Sequence, residues 1–199
     1  MYAKYLIIDT ETTGFYFGKN GLIQLAAIVL DEQLNEISRF CIDICPNEPF
    51  EISQQSLAIT GFTLDRIYAG ISYQAMCELF LDLLTEHFIG TKPIVIAQFF
   101  PFDYAFLYQV FMECNLHLEL NKKFGNDFID TKAMVNAINL QADLQGKHKP
   151  FPITSLSSKG GLKDVLGIKE NSFTAHDALG DCLATREVLI RLANFTYLG

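Results

Sequence analysis

No apolar run in these 199 residues approaches the ~20 consecutive residues that a membrane-spanning helix needs. This holds although half of the chain is apolar and its mean hydropathy is +0.20. The opening stretch, Met1 to Ile8, lacks the basic region and long apolar core of a signal peptide and reads as a strand. No CxxC pair occurs among the five cysteines, Cys41, Cys45, Cys77, Cys114 and Cys182. Cys41 and Cys45 are the only close pair and can share one strand face, which admits a metal or a disulfide. The favoured reading is small buried apolar residues in a reducing cytoplasm. The chain also has no excess of positive charge: 15 Lys and Arg stand against 23 Asp and Glu, a net charge of −8. A nucleic-acid binder usually shows a basic patch. A whole-chain sum is silent on local patches, however, and carboxylates gathered round divalent metals contribute to it. Repeats, linkers and low-complexity tracts are missing as well. The expectation is therefore a cytoplasmic protein without membrane association, one α/β domain over 1–199.

What is present has a clear order. Lys4–Thr10, Leu22–Leu30 and Glu36–Ile44 are β-like runs with short connections, which predicts an antiparallel meander. The period then changes. Met76, Leu79, Phe80, Leu83, Leu84 and His87 follow helical spacing, with Glu78, Asp82 and Glu86 opposite, predicting an amphipathic helix from Ser72 to Phe88 with Ser72 as N-cap. Pro93–Gln98 reads as a buried strand, and Pro101 suits the first turn of a helix running through Cys114. Asp127–Asp130 reads as a fifth strand before a helix over Thr131–Ala142. Residues 146–163 look irregular, and a last helix runs from His176 or Asp177 to Ala193. Strands and helices in this order define an α/β or α+β sheet with helices packed on it.

Three constellations carry chemistry. In Ile8-Asp9-Thr10-Glu11-Thr12-Thr13-Gly14, the two-residue repeat of a strand sends Asp9 and Glu11 to one face. Two carboxylates there suit a hard cation such as Mg²⁺ or Mn²⁺; the alternative is a solvated turn after an edge strand. In Phe102-Asp103, the acid falls in the first turn of a helix directly after a buried strand. The helix dipole favours a carboxylate there in any case, but the position is also where open α/β sheets place their sites. In His176-Asp177-Ala178-Leu179-Gly180-Asp181, residues five apart cannot share a helical face. His176 and Asp181 converge only if His176 stands on the loop or at the helix start. A histidine beside carboxylates is a good general base, since imidazole titrates near pH ~6.5; His87, His117 and His148 read as structural.

Taken together, DTETTG, then FD before a helix, then H-x-A-L-x-D resemble the three motifs of the DEDDh 3′–5′ exonucleases, the DnaQ-like proofreading group, in order and spacing. The resemblance runs from Lys4 to about Ala193, and Ile129-Asp130-Thr131 and Gly161–Ile168 also resemble stretches found there. It implies a ribonuclease-H-like fold, a mixed five-stranded sheet with the second strand antiparallel, flanked by helices. It implies two divalent ions, Mg²⁺ or Mn²⁺, held by Asp9, Glu11, Asp103 and Asp181, with His176 as base. It further implies release of nucleoside 5′-monophosphates from a single-stranded or frayed 3′ end, in proofreading or repair, with a DNA polymerase subunit as a partner it allows. An RNA-trimming exoribonuclease is the rival enzyme, since discrimination rests on the 2′-OH. A catalytically idle nucleic-acid- or polymerase-binding subunit is the rival from another class. The chain departs from the family at Phe99, where Asn is frequent, and at Gln24, where Glu is frequent. For the substrate, backbone N–H groups around Thr12, Thr13 and Gly14 are candidates to meet the terminal sugar. Phe15, Phe17, Phe62 or Phe102 are candidates to stack a base. Lys147, Lys149, Lys159 and Lys163, in a segment free of acidic residues, are candidates to track phosphates.

Overall fold

The computed structural model describes residues 2–168 and 177–195. Its sheet is built on β1 (Tyr5–Thr12), β2 (Leu22–Leu30) and β3 (Glu36–Cys45). Between β3 and the first long helix lie two short helices, α1 (Gln54–Thr60) and α2 (Leu64–Tyr68), and a two-residue strand β4 (Ile71–Ser72). Then follow α3 (Tyr73–His87), β5 (Ile94–Ala97), α4 (Phe100–Glu113), α5 (His117–Lys123), β6 (Phe128–Asp130), α6 (Thr131–Leu144), the single turn α7 (Leu162–Val165) and α8 (Ala178–Ala193).

The strand order is β4-β3-β2-β1-β5-β6. β2 runs antiparallel to both β1 and β3, while β1–β5, β5–β6 and β3–β4 pair in parallel. This is the expected mixed sheet with the second strand reversed. It has six strands rather than five, because the two-residue β4 adds to the edge at Ile44 and Cys45. Such a strand is too short to leave an alternation in the sequence, and the same holds for α1, α2 and α5.

β2 is buried along its whole length, which explains its apolar run, interrupted only by Gln24: both faces are covered. Leu6 and Ile8 of β1, with Leu25, Ala27 and Val29 of β2, pack under α3 and α4 against Phe80, Phe106 and Phe111. Ile7, Ala26, Ile28 and Leu30 pack on the other face against Ala178, Cys182 and Leu189 of α8. The parity of β1 thus assigns each residue at its C-terminal end to one helix layer. Ser72 caps α3 as expected, accepting from the Ala75 N–H at 3.2 Å. All five cysteines are free thiols, but only Cys77 and Cys182 are buried; Cys41 is exposed, against the expectation of uniform burial. No helix among the described residues is long and apolar enough to cross a membrane.

Candidate active site

The parity of β1 decides the site. Asp9 and Glu11 continue the Ile7 face toward α8, and Asp181 stands in the first turn of that helix. Asp9, Glu11 and Asp181 each offer a carboxylate oxygen within 4.8 Å of the other two. Asp103, expected as a fourth ligand, is not in that triplet. It approaches the strand end from the opposite layer, where α4 packs, and is 3% exposed. There the hydroxyl of Thr10, which points the other way from its neighbours, donates to its Oδ1 at 2.7 Å.

Burial and mutual repulsion raise the proton affinity of these acids. Burial, then the charges of Asp103, Asp181 and Glu11, hold the Asp9 carboxyl well above the usual carboxylate range. Burial and then Asp181 push Glu11 up to about 8. Burial lifts Asp103 to about 7 against the lowering effect of the Thr10 hydrogen bond. A divalent cation removes the repulsion by providing the charge the acids lack, so the oxygen donor set and its electrostatics fit Mg²⁺ or Mn²⁺.

Two residues contact Asp181, and a third holds the start of the helix that carries it. Gln24, 2% exposed, accepts from the Ala178 N–H at 2.8 Å, capping α8 from the sheet, and donates to Asp43 Oδ1 at 2.8 Å. Asp43 is in turn held by Arg66, with Nε–Oδ2 at 2.6 Å. Gln24 therefore takes a structural role with an amide that donates to one partner and accepts from another. Ser157 donates to Asp181 Oδ1 at 3.4 Å. Lys163, 4% exposed, places its ammonium 3.7 Å from the same oxygen. This lysine was expected on a phosphate-tracking surface; it is instead a buried counter-charge. The chain reaches it through a tight fold-back in which Leu162 N–H donates to Ser155 O at 2.9 Å. A Cβ on Gly161 would stand 2.4 Å from that same carbonyl oxygen.

Of the other lysines, Lys149 pairs with Asp143 at 3.1 Å. The segment does lie beside the carboxylates: Thr154 to Ser157 line a cavity of about 290 Å³ together with Asp9, Asp181, Gln98, Phe99 and Lys132.

The substrate expectations divide. The Thr13 N–H donates to Gly21 O at 2.9 Å and its hydroxyl to Glu51 O at 2.6 Å, so Thr13 braces the turn rather than facing a sugar. Thr12 donates its hydroxyl to Gly14 O at 2.6 Å. Gly14 lies so close to Asn20 that a Cβ would meet its side chain at 2.4 Å. Phe62 is 4% exposed and packed with Ile23 and Ile67, so its ring is closed to a base. Phe15 and Phe17 are exposed, and Phe15 leans on Phe102 with ring centroids 6.4 Å apart. His176 lies outside the described residues.

Residues that sequence reasoning missed include Thr10, Ser157 and Asp130. The Asp130 carboxylate accepts from the Phe99, Phe100, Lys132 and Ala133 N–H groups, tying the starts of α4 and α6 together. The parity of β1 was the available signal for Thr10; the other two depend on loop closure and tertiary approach.

This fold, with an acid cluster at the end of β1, is that of the ribonuclease-H-like exonuclease class. The family model RNase_T, described as "Exonuclease", matches residues 6–189, and the chain belongs to that family. A DNA polymerase III subunit epsilon-like protein of Rhodobacter capsulatus is 25% identical over 189 residues, 94% of this chain and 23% of that protein. Among solved structures, E. coli Exonuclease I in complex with a dT13 oligonucleotide superposes with a TM-score of 0.71 at 20% identity, covering 98% of this chain and 41% of that one. Exonuclease I without ligand gives 0.75 at 18% identity, covering 98% and 42%. The chain thus spans about a quarter of the first relative and about two fifths of the Exonuclease I chains.

Proposed function

We propose that this chain is a metal-dependent 3′–5′ exonuclease acting as one domain on single-stranded or frayed DNA ends, in a reducing cytoplasm that the five free thiols suit. The observation that carries the reading is the convergence of Asp9, Glu11 and Asp181 at the C-terminal end of β1, with Asp103 as the leading charged neighbour of Asp9. The Exonuclease I structure bound to dT13 supports single-stranded DNA as the substrate class. The epsilon-like relative supports a role beside a polymerase, in proofreading or repair.

Two divalent ions, Mg²⁺ or Mn²⁺, held by Asp9, Glu11, Asp103 and Asp181 would supply charge neutralisation at the phosphate and a water of lowered pKa. The chain's own residues do the rest. Thr10 fixes the Asp103 carboxylate, Ser157 holds Asp181, and Gln24 holds the start of the helix that carries Asp181. His176 takes the proton from the attacking water. The exposed Phe15 and the adjoining Phe102 offer ring faces to the terminal nucleotide, and the loop lysines Lys147, Lys149 and Lys159 offer charge to its phosphates. The products are a nucleoside 5′-monophosphate and a strand shortened by one.

End-labelled single-stranded DNA, duplex DNA and RNA, each incubated with Mg²⁺, Mn²⁺ or EDTA, test the reading. Asp9→Asn and Asp181→Asn abolish digestion while the fold survives. His176→Ala loses roughly 10²–10⁴-fold in turnover and keeps metal binding. Full digestion in EDTA, or by both Asn variants, refutes the metal-dependent reading; an RNA ladder without a DNA ladder makes the enzyme an exoribonuclease.

A further inference from the structure

Phe99 occupies a conformation that its side chain does nothing to earn locally. Its backbone sits at φ 75°, ψ 57°, the left-handed region, which glycine and asparagine enter readily and bulky residues rarely do. The ring does not repay this by joining the core, because Phe99 is 45% exposed. The chain thus holds an exposed aromatic in a strained backbone conformation. Non-glycine residues in such conformations concentrate at functional sites.

The surroundings say what the ring faces. The Lys132 ammonium lies over it, 4.2 Å from the ring centroid. Among the described residues, no carboxylate pairs with Lys132 within 4.0 Å. Phe99 and Lys132 are not independent: the Asp130 carboxylate accepts from both of their backbone N–H groups, at 3.1 and 2.9 Å, and so fixes them as one unit. Both line the same cavity of about 290 Å³ as Asp9 and Asp181. An aromatic face and a cation held together beside an acid cluster match the two invariant parts of a nucleotide strand, a base and a phosphate.

We propose that Phe99 and Lys132 form a strand-gripping subsite, in which the ring face that the Lys132 ammonium leaves uncovered stacks on a base of single-stranded nucleic acid and the ammonium meets a phosphate of the same strand. The subsite rests on the nuclease reading above. It is indifferent to base identity, because every base has a π face.

Fluorescent dT10 binding in Ca²⁺, measured across a salt series, tests it. Phe99→Asn relaxes the backbone and so melts no lower than wild type, yet weakens binding about 5- to 150-fold. Phe99→Tyr retains the ring and the affinity. Lys132→Gln lowers the log–log salt slope by about 0.7, the release expected from one lost phosphate contact on a single strand. Phe99→Asn binding within twofold of wild type, or an unchanged slope in Lys132→Gln, overturns the subsite. Hydrolysis of thymidine 5′-(4-nitrophenyl phosphate) by the wild type with Mn²⁺ separates the two failures. If the wild type cleaves it and the variants bind dT10 normally, only the subsite falls. If the wild type neither cleaves it nor binds dT10, the nuclease reading falls and the subsite with it.

Discussion

Glu11→Gln is expected to stabilise the metal-free protein while removing its activity. The Glu11 carboxyl is pushed from an ordinary 4.5 to about 8 by burial and by its acidic neighbours. A group that binds its proton more tightly in the folded state favours folding most at low pH. That advantage is lost as pH rises from 4.5, and the loss is complete above about 8. At 1.36 kcal/mol for each tenfold change in proton affinity, the cost of keeping this residue reaches about 4 kcal/mol at pH 8 and stays below about 1 kcal/mol at pH 5. Neighbouring acids share the proton uptake, so about half of the larger figure, about 2 kcal/mol, is the expected gain on substitution. For a chain of this length that corresponds to a rise of roughly 4–8 °C in melting temperature. Differential scanning fluorimetry in EDTA at pH 5 and pH 8 reads it. Adding Mg²⁺ reverses the order, because a ligand at a hundredfold its dissociation constant stabilises the wild type by about 2.7 kcal/mol, whereas the variant lacks one of its donors. The reasoning is refuted if the metal-free variant melts no higher than wild type at pH 8, or if the difference is as large at pH 5.

Lys163→Met is expected to act with the opposite sign. It removes the buried cation 3.7 Å from Asp181 and costs the metal-free protein on the order of 3 kcal/mol, while Mg²⁺ restores more stability to the variant than it adds to the wild type; equal melting of the two proteins in EDTA disproves the pairing. Replacing Lys147, Lys149 and Lys159 together by Ala is expected to flatten the salt dependence of oligonucleotide binding by up to about 2 units of log–log slope and to leave turnover at saturation unchanged; an unaltered slope shows that phosphates are held elsewhere.

The order and reversal of the strands were legible because β1 to β3 are long enough for apolar runs and alternation to rise above composition. α1, α2 and α5, of seven, five and seven residues, span two turns or fewer, and no period can be read from so little chain. Asp9, Glu11 and Asp181 were legible for a different reason. Two of them share a face by strand parity, a local feature; Asp181 follows only from the resemblance of the H-x-A-L-x-D segment, since its spacing after His176 by itself separates the pair on a helix. Phe62 was misjudged because an aromatic in a loop-like stretch carries no local sign of whether tertiary packing will cover it; here Ile23 and Ile67 do so. In sequence Gln24 is visible only as a departure from the family pattern, because its partners, Ala178 and Asp43, are 154 and 19 residues away.

Lys163 shows where reading charge along the chain stops being informative. In sequence it closes a stretch of four lysines without an acid, and a run of like charge reads as solvated surface. In space the fold-back at Ser155 and Gly161 turns it inward, toward an acid cluster that draws a carboxylate from β1, from α4 and from α8. A buried ammonium is tolerated only where paired charge offsets its desolvation, and this cluster is a concentrated source of such charge within the described residues. The segment that sequence alone presents as a basic tract is therefore divided by the acids of the site. One lysine is taken into the cluster, where its ammonium stands 3.7 Å from the Asp181 carboxylate. The substrate must meet its remaining positive charge at the rim, on the loop and at Lys132. On the proposed function, the net charge of −8 is compatible with a nucleic-acid substrate, because part of it is the acid cluster that the proposed metal ions would neutralise.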